Sequence, residues 1–483
     1  MKRRRFLKQG LAVIAWTGVS TFGSPFASIP ILSGSTAGAK SLAGPPLLIP
    51  PLLDADMNDS ALGLDVMTGS RRFFSDIDTP TLGYNGSFLG PTIRVRDGKR
   101  VQLRVRNQLK ESTTVHWHGL HVPAQWDGGP RQVIEAGAEW KPDFTIKQQA
   151  ATLWYHPHAL GRTGEHVYKG LAGMFIIEDD FSLNAPIPRD YGVDDIPLIF
   201  QDRRFYEDGS FAYVTSGHDI MHGVIGNYLF VNGAIRPQLN VVRGIVRFRL
   251  LNGSNSTIYR LSFSDKRSFQ VIASDGGFLE RPVSVDSLIF SAAERFEILT
   301  DFRDDTPGTI TSLVIEQYGG ESFQAMDIIV GSEKSQVETM PASLRRIERL
   351  NPQEALLTRQ FSMQTMSPGG RLTINGKNMD INRIDATVKL GSSEIWEISN
   401  KSEMMMQLPH SMHLHDVQFQ VLERNGKPPL PLEQGRKDTI LLLPGEQVKI
   451  ISRFEDYTGI YMFHCHMLEH EDSGMMGQFE VVG

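Results

Sequence analysis

The chain has 483 residues, 40% of them hydrophobic, with 49 basic against 55 acidic side chains and a formal net charge of −6. That length exceeds one hydrophobic core and divides into several domains, while an acidic balance disfavours nucleic acid and anionic membrane surfaces as partners. A single cysteine, Cys465, excludes an internal disulfide framework.

The N-terminus reads as an export signal over residues 1–39. Lys2, Arg3, Arg4, Arg5, Phe6, Leu7 and Lys8 form a basic region, an apolar stretch runs from Gly10 to Gly23, and Ala37-Gly38-Ala39 offers a small-residue cleavage site. Twin arginines before Phe-Leu-Lys predict export of the folded protein by the Tat translocase and a periplasmic location. The apolar stretch is short and mild, so no stable membrane anchor is expected. Cleavage would remove five basic and no acidic residues, taking the formal charge to −11.

The remainder shows an internal repeat. Asn85-Gly86, Asn232-Gly233 and Asn375-Gly376 recur at spacings of 147 and 143 residues. Each precedes an alternating run ending in Asn: Arg100–Asn107, Ile245–Asn252 and Ser393–Asn400. Period-two alternation between Gly, Pro and Asn turns predicts an all-β chain of antiparallel sandwiches. Three tandem units are expected at 45–181, 196–332 and 355–483, joined by linkers at 182–195 and 332–354. A helical turn is expected in the second linker around Ser343–Glu348. The second unit ends in Tyr318–Asp327 without histidine and reads as a metal-free spacer.

Histidines cluster in the outer units. Ten of fourteen fall in four groups: His116 and His118; His156 and His158; His410, His413 and His415; and His464, His466 and His470. On a strand, His-x-His projects two imidazoles from one face. Cys465 then faces away from His464 and His466, so one strand can serve two metal sites. A thiolate, two imidazoles and the thioether of Met475 suit a copper electron-transfer centre, although a lone cysteine also serves as a small buried hydrophobe. Twelve of eighteen methionines lie in residues 340–483, Met404, Met405 and Met406 among them. Thioethers suit Cu(I), and methionine equally fills irregular cores. His121, His166, His218 and His222 read as surface residues.

Thr114–Gly119, Trp154–His158, His413–His415 and Phe463–His466 through Met475 together resemble the signature of the multicopper oxidases, above all bacterial periplasmic copper efflux oxidases and laccase-like enzymes. Val271–Gly277 and Ala293–Glu297 are similar to the family's middle domain, and the likeness spans residues 45–483. It implies three cupredoxin-like Greek-key domains and four copper ions. His410, Cys465 and His470, with Met475 axial, would hold the type 1 copper. His116 and His413 would hold type 2; His118, His156 and His466 one type 3 copper, and His158, His415 and His464 the other. Asp127 and Glu471 match acidic residues that relay protons during reduction of O2 to water. The implied partners are O2 and a small reductant, Cu(I) or a phenol, with a role in copper tolerance; a general laccase and a non-enzymatic copper-binding protein are the alternatives. A division-associated scaffold in the family keeps the fold and lacks the ligands, whereas all of them are present here. A monomer is expected. Ser411 stands where the family commonly has Pro, and the methionine-rich insert of copper efflux oxidases is missing between Asn351 and Asn375, which would leave the type 1 site more open to bulky phenols.

Overall fold

The structure, a computed structural model, describes residues 44–57, 61–74, 76–365, 372–401 and 407–483. The expected export signal, Met366 and Met404–Met406 lie outside these residues. Among the described residues, strands form six sheets that fall into three successive pairs: between Leu52 and Glu178, between Asp195 and Lys334, and between Ala355 and Val482. Each pair encloses a separate apolar core. The chain is therefore all-β, with three cupredoxin-like sandwiches in tandem.

The repeated asparagines have one structural job in all three sandwiches. Asn85, Asn232 and Asn375 adopt positive φ (54°, 50° and 53°), a conformation Asn tolerates better than most residues. Their side chains accept from Asp65 N, Ile199 N and Ser362 N, tying each turn to a neighbouring strand. The strand-ending asparagines repeat just as closely. Asn107 Nδ2 donates to the carbonyls of Glu111 and Ile134, Asn252 to those of Thr257 and Phe290, and Asn400 to those of Leu408 and Leu442. A buried carbonyl left unpaired is costly, so one amide satisfying two explains why the residue recurs.

Burial follows the expected alternation in Arg100–Asn107 and Ser393–Lys401. Ile245–Asn252 departs from it, for every residue there is buried. Its polar face is covered by the first sandwich. Arg249 bonds Asp195, Glu178 and Thr152, and Arg247 bonds Glu297, giving the buried charges the partners they require.

The linker around Ser343–Glu348 forms neither helix nor strand. Its amides are used elsewhere: Leu344 N donates to Glu280 O (2.9 Å) and Ile347 N to Glu280 Oε1 (3.1 Å), pinning the chain along the middle sandwich. The first linker instead opens with a short helix, Asp180–Asn184, capped by Asp179.

Three short helices mark where the sandwiches meet. They are α1 (Thr163–Lys169), α2 (Gly217–His222) and α3 (Leu468–Asp472), one from each sandwich. Asp472 accepts from Thr163 N and Gly164 N of α1. Glu469 accepts from Asn255 Nδ2 and Ser256 Oγ of the middle sandwich. α3, which carries His470, is thus clamped from both sides.

Candidate metal centre

Four strands and the residues just beyond their ends present the expected ligands, with His470 on α3. β1 (His116–His118) pairs antiparallel with β2 (Ala151–His156), placing His116 opposite His156. β3 (His410–Leu414) pairs with β4 (Gly459–Cys465), placing His413 opposite His464 and Met412 opposite Cys465. All ten expected histidines and Cys465 are at most 1% exposed.

On one face of β4, Cys465 Sγ lies 3.6 Å from Nδ1 of both His410 and His470, whose Nδ1 atoms are 3.3 Å apart. The outer nitrogens are held in place. His470 Nε2 donates to Met221 O of α2 (3.0 Å), and His410 Nε2 lies 3.3 Å from Thr365 Oγ1. Met475 is fully buried in the same core, its carbonyl accepting from Cys465 N (3.0 Å). Burial pushes the Cys465 thiol up to about 12 and His470 down to about 4. An uncharged thiol beside two neutral rings is ready to exchange its proton for a cation, because metal binding releases the proton.

On the other face, eight imidazoles converge across the boundary between the first and third sandwiches. Ligand atoms gather within 4.8 Å of one another in His116–His118–His156, in His116–His413–His415 and in His158–His415–His464. His464 Nε2 lies 3.1 Å from His158 Nε2 and 3.2 Å from His415 Nε2, while His118 Nδ1 lies 3.4 Å from His156 Nε2. The His466 ring packs 4.9 Å from that of His118 and 5.1 Å from that of His156.

Outward nitrogens are anchored, which aims the others inward. His116 Nδ1 donates to Asp127 O (2.8 Å), His413 Nδ1 to Asp438 O (2.9 Å), His415 Nδ1 to Asp127 Oδ2 (2.8 Å) and His156 Nδ1 to Pro157 O (2.8 Å). Nε2 of His116 and His413 and both ring nitrogens of His466 are buried without a hydrogen-bond partner. Unpartnered buried acceptors in one pocket are expensive unless cations use them. Burial first, then mutual repulsion, holds His118, His156, His413, His415 and His466 well below the usual imidazole range, the neutral state a metal ligand needs. This donor set fits copper.

The two expected acids stand behind the rings. Glu471 lies 3.4 Å from His158 Nδ1 and 3.2 Å from His464 Nδ1. Burial favours its neutral form, but His158 and His464 outweigh it and hold the carboxyl at about 2. Asp127 serves His415 through its carboxylate and His116 through its carbonyl.

Sequence reasoning missed Asp438 and Arg295. Asp438 Oδ1 accepts from His118 Nε2 (3.0 Å), and Arg295 from the middle sandwich bonds both Asp438 oxygens. The Ala293–Glu297 likeness pointed at Arg295, though not at its role; nothing around Asp438 distinguished it. The middle sandwich is therefore more than a spacer. Ser411 also reaches it, its hydroxyl lying 2.9 Å from Ser291 Oγ and 3.2 Å from Ala292 O. A proline there would lack both contacts.

Of the histidines expected at the surface only His218 is exposed; His222, on α2, is half-buried. His166 is fully buried between Thr113 Oγ1 (3.1 Å) and Glu111 (3.1 Å). His121 is half-buried and pairs with Asp416 (2.9 Å) and Asp456 (3.2 Å). Tertiary carboxylate partners, invisible in sequence, drew His166 and His121 in.

Comparison with known proteins agrees with this geometry. Three family models, each described as multicopper oxidase, match residues 67–182, 209–315 and 349–483. The chain is 38% identical over 441 residues to multicopper oxidase mco of Staphylococcus aureus, covering 90% of this chain and 92% of that protein. It is 36% identical over 499 residues to cell division protein FtsP of Escherichia coli (strain K12), covering 100% and 99%. Among solved structures, the bacterial laccase-like multi-copper oxidase CueO from the lignin-degrading Ochrobactrum sp. superposes with a TM-score of 0.84 at 38% identity, covering 90% of this chain and 100% of that one.

Proposed function

Since the chain belongs to the multicopper oxidase family, copper-dependent oxidoreductases that pass electrons from a reducing substrate to O2, we propose that it oxidises Cu(I), phenols or both with four copper ions and contributes to copper tolerance. The observation that carries this reading is the two-faced strand β4. Cys465 meets His410 and His470 on one side, and His464 and His466 join six further imidazoles on the other. In this reading His410, Cys465, His470 and Met475 hold the type 1 ion, and His116 with His413 the type 2 ion. His118, His156 and His466 hold one type 3 ion, and His158, His415 and His464 the other.

Copper supplies reversible one-electron chemistry and the place where O2 is reduced. The protein's residues supply the rest. β4 links the two centres through a single peptide unit on either side of Cys465. Glu471 and Asp127 hold the outer ring nitrogens of His464 and His415 and, from there, hand protons toward the oxygen-reducing pocket. Burial of every histidine in the pocket would keep the ions they hold in surroundings of low polarity, where charged and polar contacts are stronger than in water.

Phenols are supported by the CueO neighbour, whose activity is towards lignin model compounds and lignosulfonate. Cu(I) is supported by the methionine-rich third sandwich. A periplasmic site reached by the Tat route rests on Arg3, Arg4 and Arg5, and no described helix is long and apolar enough to cross a membrane. Oxygen uptake by the copper-loaded protein with Cu(I) or a phenol, each with and without added Cu(II), tests the proposal. Activity on either reductant supports it. Copper loading without oxygen uptake would instead favour a non-enzymatic role, a reading that the full-length likeness to FtsP keeps in view.

A further inference from the structure

Thr439 opens the strand Thr439–Leu442, which pairs antiparallel with β3 and sets Thr439 opposite His413. It is wholly buried, and its place is fixed from the middle sandwich. Its amide donates to Asp275 Oδ2 (3.4 Å), and Lys437 Nζ, two residues back, lies 2.8 Å from Asp275 and 3.1 Å from Glu294. A hydroxyl has one proton to give and two lone pairs to offer, and Thr439 directs all three at the histidine pocket. Oγ1 donates to Asp438 Oδ1 (2.8 Å) and accepts from His118 Nε2 (3.3 Å) and His413 Nδ1 (3.2 Å). Those two rings stack, with centroids 3.7 Å apart and planes 11° from parallel.

We propose that Thr439 is a positioning residue for the oxygen-reducing pocket, its one hydroxyl setting the orientation of His118 and His413 relative to each other. In the ligand assignment above these rings serve different ions, His118 a type 3 and His413 the type 2, and the inference rests on that assignment. Each ring N–H already has an acceptor: Asp438 Oδ1 for His118 (3.0 Å) and the Asp438 carbonyl for His413 (2.9 Å). A single acceptor lets a ring pivot about its hydrogen bond. A second acceptor off that line stops the pivot, and here one oxygen does so for both rings. The nitrogens left to hold metal, His118 Nδ1 and His413 Nε2, are therefore aimed relative to one another and not only relative to their own strands. Hydrogen-bond partners of this kind orient metal ligands and tune metal affinity. Packing alone asks of a buried hydroxyl a single partner. Three partners in one pocket, two of them ligand rings, amount to a different task.

The test compares Thr439→Val, which keeps the shape and deletes the hydroxyl, with Thr439→Ser, which keeps the hydroxyl and deletes the methyl. In the valine variant both rings retain Asp438, and Asp438 retains Arg295 (2.7 Å), so the fold is expected to stand; melting of the metal-free proteins checks it. Cu(II) affinity of the metal-free proteins is measured by chelator competition. The loaded proteins are read by electron paramagnetic resonance of the type 2 ion, with the blue colour following the type 1 ion separately. Thr439→Val is expected to bind Cu(II) in the pocket about tenfold more weakly and to show an altered type 2 resonance, its blue colour unchanged. Thr439→Ser is expected to stay with wild type. A valine variant that matches wild type in either measurement overturns the proposal. So does a serine variant that loses as much as valine, because packing of the methyl is then what matters. Should Thr439→Val fold poorly, Thr439→Ser and Thr439→Ala, which differ by the hydroxyl alone, carry the same expectations. Wild type that fills its type 1 site and leaves the histidine pocket empty overturns the ligand assignment and this inference with it. Wild type that loads fully beside an unaffected Thr439→Val overturns the role of Thr439 alone.

Discussion

Asp438 and His118 lie 320 residues apart in the chain and meet at 3.0 Å, with both side chains wholly buried. Arg295 completes the contact from the middle sandwich, its Nη1 2.7 Å from Asp438 Oδ1. One carboxylate thus joins all three sandwiches and turns His118 Nδ1 toward His156. Asp438→Asn keeps the shape and removes the charge that fixes the ring. Copper in the histidine cluster should bind about 10- to 100-fold more weakly while the type 1 colour persists. Arg295→Met should be harsher, destabilising the fold by about 3–5 kcal/mol, because it strands buried carboxylates. Copper content, visible absorption and thermal melting of the two variants check both statements; a fully loaded Asp438→Asn protein would remove the positioning role.

Cys465→Ser should abolish the intense blue colour that a thiolate-bound copper gives and with it the oxidation of external substrates. The eight-histidine pocket should still load, since its ligands point to the other face of β4. Total copper by elemental analysis, set beside the spectrum, measures the two effects separately. A variant that keeps its colour would place the chromophore elsewhere.

His121 makes stability depend on pH. Burial lowers its affinity for a proton, but Asp416 and then Asp456 outweigh burial and raise it to about 9. A raised imidazole favours the folded state at low pH. Its contribution is complete below the unfolded value of about 6.5 and is lost as pH rises through about 9, for a total of order 1–3 kcal/mol. Asp416, pushed up to about 6 by its own burial, acts in the same direction between its ordinary range and pH 6. Thermal melts should therefore decline between pH 6.5 and 9 in wild type and more shallowly in His121→Asn. Parallel slopes would show that other groups set the trend.

Replacing Arg3, Arg4 and Arg5 by Lys should leave the precursor in the cytoplasm, because the Tat route reads paired arginines. Fractionation and immunoblotting report the outcome. Normal export of wild type from a Tat-deficient strain would leave secretion standing and remove the route.

Much of this protein was legible in one dimension because its ligands are local patterns on strands. His-x-His needs only period-two geometry to present two rings on one face, and Cys465 between His464 and His466 predicts opposed sites before any fold is known. The tandem sandwiches were legible for the same reason, since each asparagine that ties a turn or a strand end recurs with its turn. What tertiary structure alone decided is how those patterns are held. Asp438 and Arg295 orient His118 across separations that no local spacing encodes. Ser411 reaches Ser291 only because two sandwiches abut. The linker at Ser343–Glu348 gave up helix because Glu280 was there to take its amides. His166 and His121 were drawn inward by Glu111, Asp416 and Asp456. Each is a choice of partner distant in sequence, most of them across a domain boundary, where burial makes an unpaired polar group costly and the partner is known only once the chain has closed.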